Sequence, residues 1–400
     1  MQFTLEHLRF LTSAEGEKML RETAVTPLTP ATHLQAATQL RRQLPPDLAQ
    51  AVLETVLLRQ LGTAKFSRAT EMFFTRSALE QASSEQIAQY RASRFARLGV
   101  QNVVDLCCSI GGDALGLATC STVVGVDWDP VRLAMAAENA RVYGRADRFH
   151  PLQADVMALS PFQTDAVFFD PARRDEQGRR FYSVYQYQPP LSVLAGWRQA
   201  ARGTAVKISP GVDYAELPTD ADVEFISVNG EVKEAVVWYD DLRDYTTRKA
   251  TLLPGSHTLS CRDMPSEKID VTEPKAFLYE PDGAVIRAHL VEALAAQLHG
   301  TKIDEEIAYI TTDTRQTTPF ARGYTLEDFF PFQLKRLRAY LRERNVGQVT
   351  VKKRGSPLEP VWLQKQLRLT GEEHRIVFLT YVKGETAVLI GQQLTNTQPE

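Results

Sequence analysis

The distribution of apolar residues predicts a series of short strands in the middle of the chain. Four apolar runs end in acidic residues, and they occupy residues 103–105, 121–127, 150–155 and 165–170. Short apolar runs of this kind are typical of buried strands, and a loop of small residues with a helical pattern follows the first of them. The pattern predicts an α/β fold, in which ligands bind at the carboxyl ends of the strands.

The regions on either side of these runs have different patterns. Residues 1–95 have the apolar spacing of helices, with Pro residues between the segments. After the fourth run, residues 204–208 predict a fifth strand and residues 223–239 predict a hairpin that turns at Asn229. Residues 329–344 predict a basic helix, and the strand-like runs that follow it complete a small α+β module.

Length and composition narrow the class of protein. A chain of 400 residues is too long for one core, so we expect two or three domains. No apolar run approaches the ~18 residues of a membrane span. The first residues lack the features of a secretion signal, so we expect a cytoplasmic protein without a membrane partner. The four cysteines form no C-x-x-C or Cys/His cluster, so we expect no metal.

Charge is distributed unevenly along the chain. Residues 335–383 contain twelve Lys and Arg residues and four acids, an excess of eight positive charges. Because the whole chain has a net charge of -3, the rest of it is strongly acidic. A net charge of -3 over the whole chain does not by itself indicate nucleic-acid binding. A basic C-terminal module on an acidic body nevertheless suits an enzyme that recruits a phosphate-rich substrate.

The loop after the first strand indicates which ligand the fold binds. A dinucleotide site has glycines there, so that backbone amides can approach a pyrophosphate. Here Cys107, Ser109 and Gly111 occupy the alternating positions, and Asp105 precedes them. A carboxylate repels a pyrophosphate and attracts an ammonium or a sulfonium group. The loop therefore favours S-adenosylmethionine, which carries both cations and no phosphate.

The other acids fit the same ligand. Asp127 lies 22 residues after Asp105, where this fold places the carboxylate that binds ribose hydroxyls, and Asp155 is placed to accept from the adenine amine. Each acid could instead cap a helix, an alternative that has most weight for Asp155. The predicted cofactor-binding residues are Asp105, Cys107, Ser109, Gly111, Gly112, Asp127, Trp128 and Asp155.

Residues 105–113 (DLCCSIGGD) resemble the first motif of RNA cap guanine-N2 methyltransferases. Residues 72–98, 228–239, 277–287 and 351–357 look like bacterial RNA methyltransferases with a THUMP-like C-terminal domain. The resemblance implies a seven-stranded, Rossmann-like class I methyltransferase sheet. It divides the chain into a helical region, a methyltransferase domain, a linker with a ferredoxin-like segment, and a THUMP-like RNA-binding domain, at residues 1–95, 96–245, 246–322 and 323–400.

The end of the fourth strand departs from the pattern of amino-group methyltransferases. That pattern is Asp/Asn-Pro-Pro followed by an aromatic residue, whereas this chain has Asp170, Pro171, Ala172 and Arg173. Aromatic residues of the next loop could provide the stacking face, or could simply pack in the core. They are Phe181, Tyr182, Tyr185 and Tyr187. Uridine-C5 chemistry is disfavoured because it needs a nearby cysteine nucleophile, and the only later one is Cys261.

The resemblance implies methyl transfer to a base nitrogen of a structured RNA, either rRNA or tRNA. We assign Asp170 and the carbonyl of Pro171 to the acceptor amine. The predicted substrate-binding residues are Arg173, Arg174, Tyr182, Lys352, Lys353 and Arg354. The cations could instead form surface ion pairs.

Two other functions remain open at this stage, because a fold does not fix a substrate. One is methylation of a small molecule or a protein. The other is a non-catalytic RNA-binding role on the same fold.

Overall fold

The computed structural model describes residues 1–173, 179, 181 and 183–394. It contains two compact units. The first unit comprises Met1–Asp222 and Ala235–Tyr245, and the second unit comprises Val223–Glu234 and Thr246–Glu400. The four-part division made from the sequence is finer than this and remains a prediction.

Six helices precede the first strand, and three more α-helices lie among the strands in the described part of the first unit. The first six are α1 Leu5–Leu11, α2 Ala14–Ala24, α3 Pro30–Leu40, α4 Pro46–Gly62, α5 Arg76–Gln81 and α6 Glu85–Arg97. The others are α7 Gly112–Leu117, α8 Pro130–Val142 and α9 Leu194–Ala200. Side-chain caps define several starts, because an oxygen at the cap accepts from a backbone N–H that has no partner inside the helix. Thr29 and Asp129 cap α3 and α8 in this way.

The first unit is built on a mostly parallel sheet. Its strands are β1 Asn102–Leu106, β2 Thr122–Asp127, β3 Phe149–Gln153, β4 Thr164–Phe169 and β5 Ala201–Ile208. They lie in the order β3-β2-β1-β4-β5 and all pair in parallel. The register sets Asp105 beside Gly125 on one side and Phe168 on the other. The central strands are buried, as expected for parallel strands covered on both faces. This confirms the predicted Rossmann-like α/β fold.

Two further strands connect the units. They are β6 Asp222–Val228 and β7 Glu231–Asp240. In the turn between them, Asn229 and Gly230 have φ angles of 52° and 83°, which suits the sequence Asn-Gly. Residues 235–240 of β7 pair antiparallel with β5 at the edge of the first unit's sheet.

The second unit contains β6 and the strands β8 Arg248–Leu253, β9 His257–Ser260, β10 Phe277–Pro281, β11 Thr301–Lys302, β12 Ile310–Thr312, β13 Ala321–Pro331, β14 Val346–Lys353, β15 Glu373–Val382 and β16 Glu385–Gln393. Its helices are α10 Gly283–Arg287, α11 Val291–Gln297, α12 Leu334–Glu343 and α13 Pro360–Leu367. Seven of these strands form a sheet in the order β11-β12-β10-β13-β16-β15-β14. Alternating residues of β15 face opposite cores: Val377 packs with α12 and α13 on one face, and Phe378 packs against Tyr324 on the other.

The helix predicted at residues 329–344 is only partly correct. Residues 329–331 form the end of β13, where Phe330 pairs with Val388, and the helix begins at Leu334. Pairing with β16 buries Phe330 to 2% exposure, so the tertiary contact overrides the local helical pattern.

In the described part of the chain, no helix is both long and apolar enough to cross a membrane.

Candidate active site

A crevice opens at the carboxyl ends of the parallel strands in the first unit. The crevice is open to solvent and has a volume of ≈ 870 Å³ when that open space is included. Nine predicted site residues line it, namely Cys107, Ser109, Gly112, Asp127, Trp128, Asp155, Asp170, Pro171 and Arg173. Asp105 and Gly111 are not among the lining residues, and Arg174 and Tyr182 lie outside the described residues.

The loop after β1 has an unusual backbone. Cys107, Ser109 and Gly111 have φ angles of 65°, 52° and 81°, in the left-handed region. Glycine adopts this region readily, but it is costly for residues with a Cβ, so the surrounding structure must hold the loop. One such restraint is the hydrogen bond that the Ser109 amide donates to Asp127 Oδ2, at 2.8 Å.

Asp127 connects this loop to the end of β2. Its Oδ2 accepts from Ser109, and its Oδ1 accepts from the amide of Asp129 at 2.9 Å. Burial raises the pKa of Asp127, although both hydrogen bonds act in the opposite direction. Each carboxylate oxygen has a second lone pair. Asp127 can therefore stabilise the loop and accept hydrogen bonds from ribose hydroxyls at the same time.

Asp105 lies behind the crevice wall and not on it. It is 0% exposed, and neither carboxylate oxygen has a hydrogen-bond partner within the described residues. Burial raises its pKa well above the ordinary value, and the charge of Asp170 adds to this effect. The charges of Arg91 and Lys207 oppose it. Burial thus favours the neutral form of Asp105, so its carboxyl group contributes less negative charge to the crevice than an exposed carboxylate would.

The remaining cofactor residues lie at the edge of the crevice. Asp155 is exposed, and its Oδ1 accepts from the amide of Met157 at 2.9 Å. This bond closes a turn at residues 156–158, and no helix begins there, so Asp155 does not cap a helix and instead lies in the crevice lining. Trp128 is 71% exposed and directly follows Asp127, so its indole face is open to a ligand.

Asp170 has a partner that the sequence analysis missed. Lys207 Nζ lies 2.6 Å from Asp170 Oδ2, and the two side chains are 3% and 20% exposed. Lys207 lies on β5, inside the apolar run 204–208. The only sequence feature that could have indicated this ion pair is that Lys207 is the one charged residue in that run. Because the strand ends meet in the sheet, the pair forms across 37 residues of sequence.

The segment after Asp170 returns to the same place. Ala172 and Gln188 exchange two backbone hydrogen bonds, so the loop between them begins and ends at the crevice. Arg173 donates to the carbonyl of Ile208 at 3.2 Å. This bond directs part of its guanidinium toward the end of β5, and the predicted phosphate contact stays a prediction.

A second buried ion pair supports the wall of the crevice. Arg91 of α6 is 2% exposed and binds Asp113 and the hydroxyl of Ser83. Its guanidinium also lies 4.8 Å from the ring centroid of Phe168 on β4. The pair therefore ties α6 to the start of α7, where the loop after β1 ends.

The cations predicted to bind RNA have acidic partners within the second unit. Lys352 contacts Glu280 at 2.5 Å, and Arg354 lies 3.7 Å from the same carboxylate. Lys353 contacts Glu359 at 2.5 Å. Lys352 and Arg354 are partly buried, whereas Lys353 is exposed. Of the three, Lys353 is the one whose position best suits contact with a large ligand.

The described residues contain no group of three or more His, Cys, Asp and Glu side chains placed to hold a metal.

Comparison with known proteins identifies the family. An S-adenosylmethionine-dependent methyltransferase of Mycobacterium tuberculosis, itself uncharacterised, is 33% identical over 354 residues, which are 84% of this chain and 94% of that protein. The chain belongs to the S-adenosylmethionine-dependent methyltransferases. Within this methyltransferase, residues 100–179 match the family model of RNA cap guanine-N2 methyltransferases, residues 321–393 match a THUMP-like domain, and residues 4–62 match a domain of unknown function.

A solved structure supports the same fold for the methyltransferase. A candidate methyltransferase of Porphyromonas gingivalis W83 aligns over 99% of this chain and 100% of its own, with a TM-score of 0.77 and 18% identity. The cofactor prediction is confirmed: the protein is an enzyme that uses S-adenosylmethionine. The sulfonium of this cofactor supplies the electrophilic methyl group.

Proposed function

We propose that this methyltransferase transfers the methyl group to a base nitrogen of a structured RNA. The observation that carries the proposal is the position of Asp170, whose carboxylate lines the crevice next to Pro171. Asp170 and the carbonyl of Pro171 can accept hydrogen bonds from an amine and orient its lone pair toward the donor methyl. Alignment of donor and acceptor, with water excluded, is the main contribution that such a protein must make.

The cofactor-binding roles follow from the crevice. The cofactor loop at Ser109 and Gly112 would hold the methionine end, with the negative charge of the crevice attracting the cationic groups. Asp127 would bind the ribose hydroxyls, Asp155 the adenine amine, and Trp128 would cover the adenine face. Asp105 is fully buried behind the wall, so it would not contact the cofactor directly.

The second unit would bind the RNA backbone. Lys335, Arg336, Arg342, Lys353, Lys365 and Arg368 are exposed cations in this unit. Trp362 on α13 is 45% exposed beside them in sequence and offers a stacking face for a base. The match to a THUMP-like domain and to an RNA methyltransferase family supports this assignment.

The decisive experiment compares methylated nucleosides in total RNA from a deletion strain and its parent by mass spectrometry. We expect one methylated nucleoside to disappear, to return with the wild-type gene, and to stay absent with the Asp170→Ala variant. Calorimetry with S-adenosylmethionine checks that this variant still binds the cofactor. An unchanged nucleoside profile, with intact cofactor binding, would refute the RNA substrate and favour a small molecule or a protein as the acceptor.

A further inference from the structure

Two glutamines line the crevice of the first unit without an assigned role, Gln81 and Gln188. Both residues are exposed. Within the part of the chain that the structure describes, neither side-chain amide has a hydrogen-bond partner. Their backbones, in contrast, are fixed beside the end of β4, so both carboxamides are available to a ligand at a defined place.

Two lysines hold the end of α5, where Gln81 lies. Lys65 Nζ donates to three carbonyl oxygens at 2.7, 2.9 and 2.9 Å, those of Leu79, Glu80 and Ala82. The carbonyl of Gln81 lies 3.4 Å from Lys207 Nζ, and the same ammonium lies 2.6 Å from Asp170 Oδ2. These contacts fix the last turn of α5 next to the acid at the end of β4.

Gln188 reaches the same strand end from the loop that follows it. Its amide donates to the carbonyl of Ala172 at 3.2 Å, and its carbonyl accepts from the Ala172 amide at 2.8 Å. Ala172 comes two residues after Asp170 and lines the crevice as well. The two glutamines, 107 residues apart in sequence, are therefore both attached to the place where the acceptor is proposed to bind.

We propose that Gln81 and Gln188 form a recognition subsite that hydrogen-bonds the polar edge of the acceptor base and thereby selects it. This inference rests on the proposed function and adds the residues that discriminate among its possible acceptors.

The chemistry of the carboxamide favours this class of ligand. A glutamine side chain is uncharged and carries both N–H donors and a carbonyl acceptor. A base edge presents donors and acceptors side by side, and glutamine can bind such an edge through two hydrogen bonds. Enzymes that modify a base read it in this way after it has left the stack. An apolar acceptor would leave both amides without partners, and a phosphate is bound more strongly by cations.

Steady-state kinetics with matched controls test the subsite. The test variants are Gln81→Ala, Gln81→Glu, Gln188→Ala and Gln188→Glu, in which Glu keeps the size of the side chain and removes its donors. The controls are Glu80→Ala and Gln186→Ala, because both residues are exposed neighbours that do not line the crevice. The substrate is RNA from the deletion strain, the donor is tritiated S-adenosylmethionine, and calorimetry measures cofactor affinity separately.

We expect each Ala variant to raise the KM for RNA about three- to tenfold, the effect of losing a hydrogen bond between neutral groups. Loss of binding that is equal in the ground state and the transition state leaves kcat unchanged, so kcat and the cofactor Kd should stay within about twofold of the wild type. The Glu variants should raise KM at least as much, because they cannot donate. Both controls should match the wild type.

Four results would overturn the inference. An unchanged KM in the Ala variants would show that the glutamines do not contact the acceptor, and a wild-type KM in the Glu variants would show that only side-chain size matters. A weaker cofactor Kd would assign the glutamines to the cofactor, and a fall in kcat alone would assign them to the chemical step. In each case the labelled wild-type RNA leaves the proposed function standing, whereas a wild-type enzyme that binds the cofactor and labels no RNA would refute both.

Discussion

Replacing Lys352 with methionine tests whether the cations at residues 352–354 support the fold of the second unit or form an RNA surface. Lys352 Nζ lies 2.5 Å from Glu280 Oε2, an oxygen that also accepts from the hydroxyl of Tyr324 at 2.9 Å. The ammonium also lies 5.4 Å from the ring centroid of Tyr324. These contacts join β10, β13 and β14. Lys353, the adjacent residue, contacts the exposed Glu359 instead and is the matched control.

The expected magnitudes differ clearly between the two positions. A hydrogen bond to a charged group contributes about 1.5–3 kcal/mol, and removal of one partner from a fully buried pair costs about 3–5 kcal/mol. Since Lys352 and Glu280 keep 23% and 18% side-chain exposure, the lower figures apply, and we expect a loss of about 2 kcal/mol in the free energy of unfolding. Lys353→Met should stay within about 0.5 kcal/mol, because Glu359 is largely exposed.

The same pair has a predictable pH dependence. Burial raises the pKa of Glu280, but the bond from Lys352 and the other contacts outweigh it, and the net pKa is lowered. Because the pKa of Glu280 is lowered in the folded state, its ion pair stabilises the fold at pH values above the unfolded-state pKa of Glu280. This stabilisation is lost as the pH falls through the folded-state pKa. The difference between wild type and Lys352→Met should thus be complete at pH 7 and shrink below about pH 4.

Hydrogen exchange measured by mass spectrometry provides the assay, because it reports the second unit separately. Peptides from β10, β13 and β14 should exchange faster in Lys352→Met at pH 7, and those of Lys353→Met should match the wild type. Equal protection in both variants, together with a loss of RNA affinity in Lys352→Met, would show that Lys352 belongs to the RNA surface and refute the structural role.

Three other outcomes can be measured directly. Asp127→Asn should weaken S-adenosylmethionine binding in calorimetry about ten- to hundredfold, because the Asp127 carboxylate organises the loop after β1. Because the pKa of Asp127 is raised, the affinity of the wild type should also fall on acidification at a higher pH than an ordinary Asp would give. An affinity that changes neither with the substitution nor with this acidification would contradict both expectations. Arg91→Met should lower the unfolding free energy of the first unit by about 3–5 kcal/mol in urea because it leaves Asp113 buried and unpaired, whereas a loss below 1 kcal/mol would contradict that role. Joint replacement of Lys365 and Arg368 by Gln should weaken RNA binding and reduce the slope of log K against log salt by about 0.7–0.9 per lost phosphate contact, and an unchanged slope would place the RNA elsewhere.

The acids of the candidate site could be predicted because their spacing follows from the sheet itself. Parallel strands end at one edge, so acids at successive strand ends are brought together whatever the helices between them contain. This reasoning placed Asp127, Asp155 and Asp170 in the crevice. It could not show that Asp105 is fully buried, because exposure depends on how the loop and neighbouring strands close over that position.

The cations of the site could not be predicted for a related reason. Lys207, Arg91 and Lys352 find their partners 37, 22 and 72 residues away, and nothing local marks either member of each pair. A lone cation in an apolar run indicates only that it must be paired if it is buried. At residues 352–354 three adjacent cations are conspicuous in the sequence and therefore favoured an RNA surface. Their acidic partners lie elsewhere in the sequence, so the ion pairs could not be predicted.

The acids at the strand ends have different functions in the structure, and this changes how the site attracts its cofactor. Asp127 and Asp155 accept from backbone amides of their own loops, and Asp170 is neutralised in part by Lys207. Asp105 has none of these partners, and its pKa is strongly raised. Asp127 and Asp155 line the crevice and also shape the loops, so the geometry of the loops and the charge of the crevice depend on the same side chains. A substitution at Asp127 should disturb both together, whereas one at Asp170 should leave the cofactor loop intact and alter only the position of the acceptor.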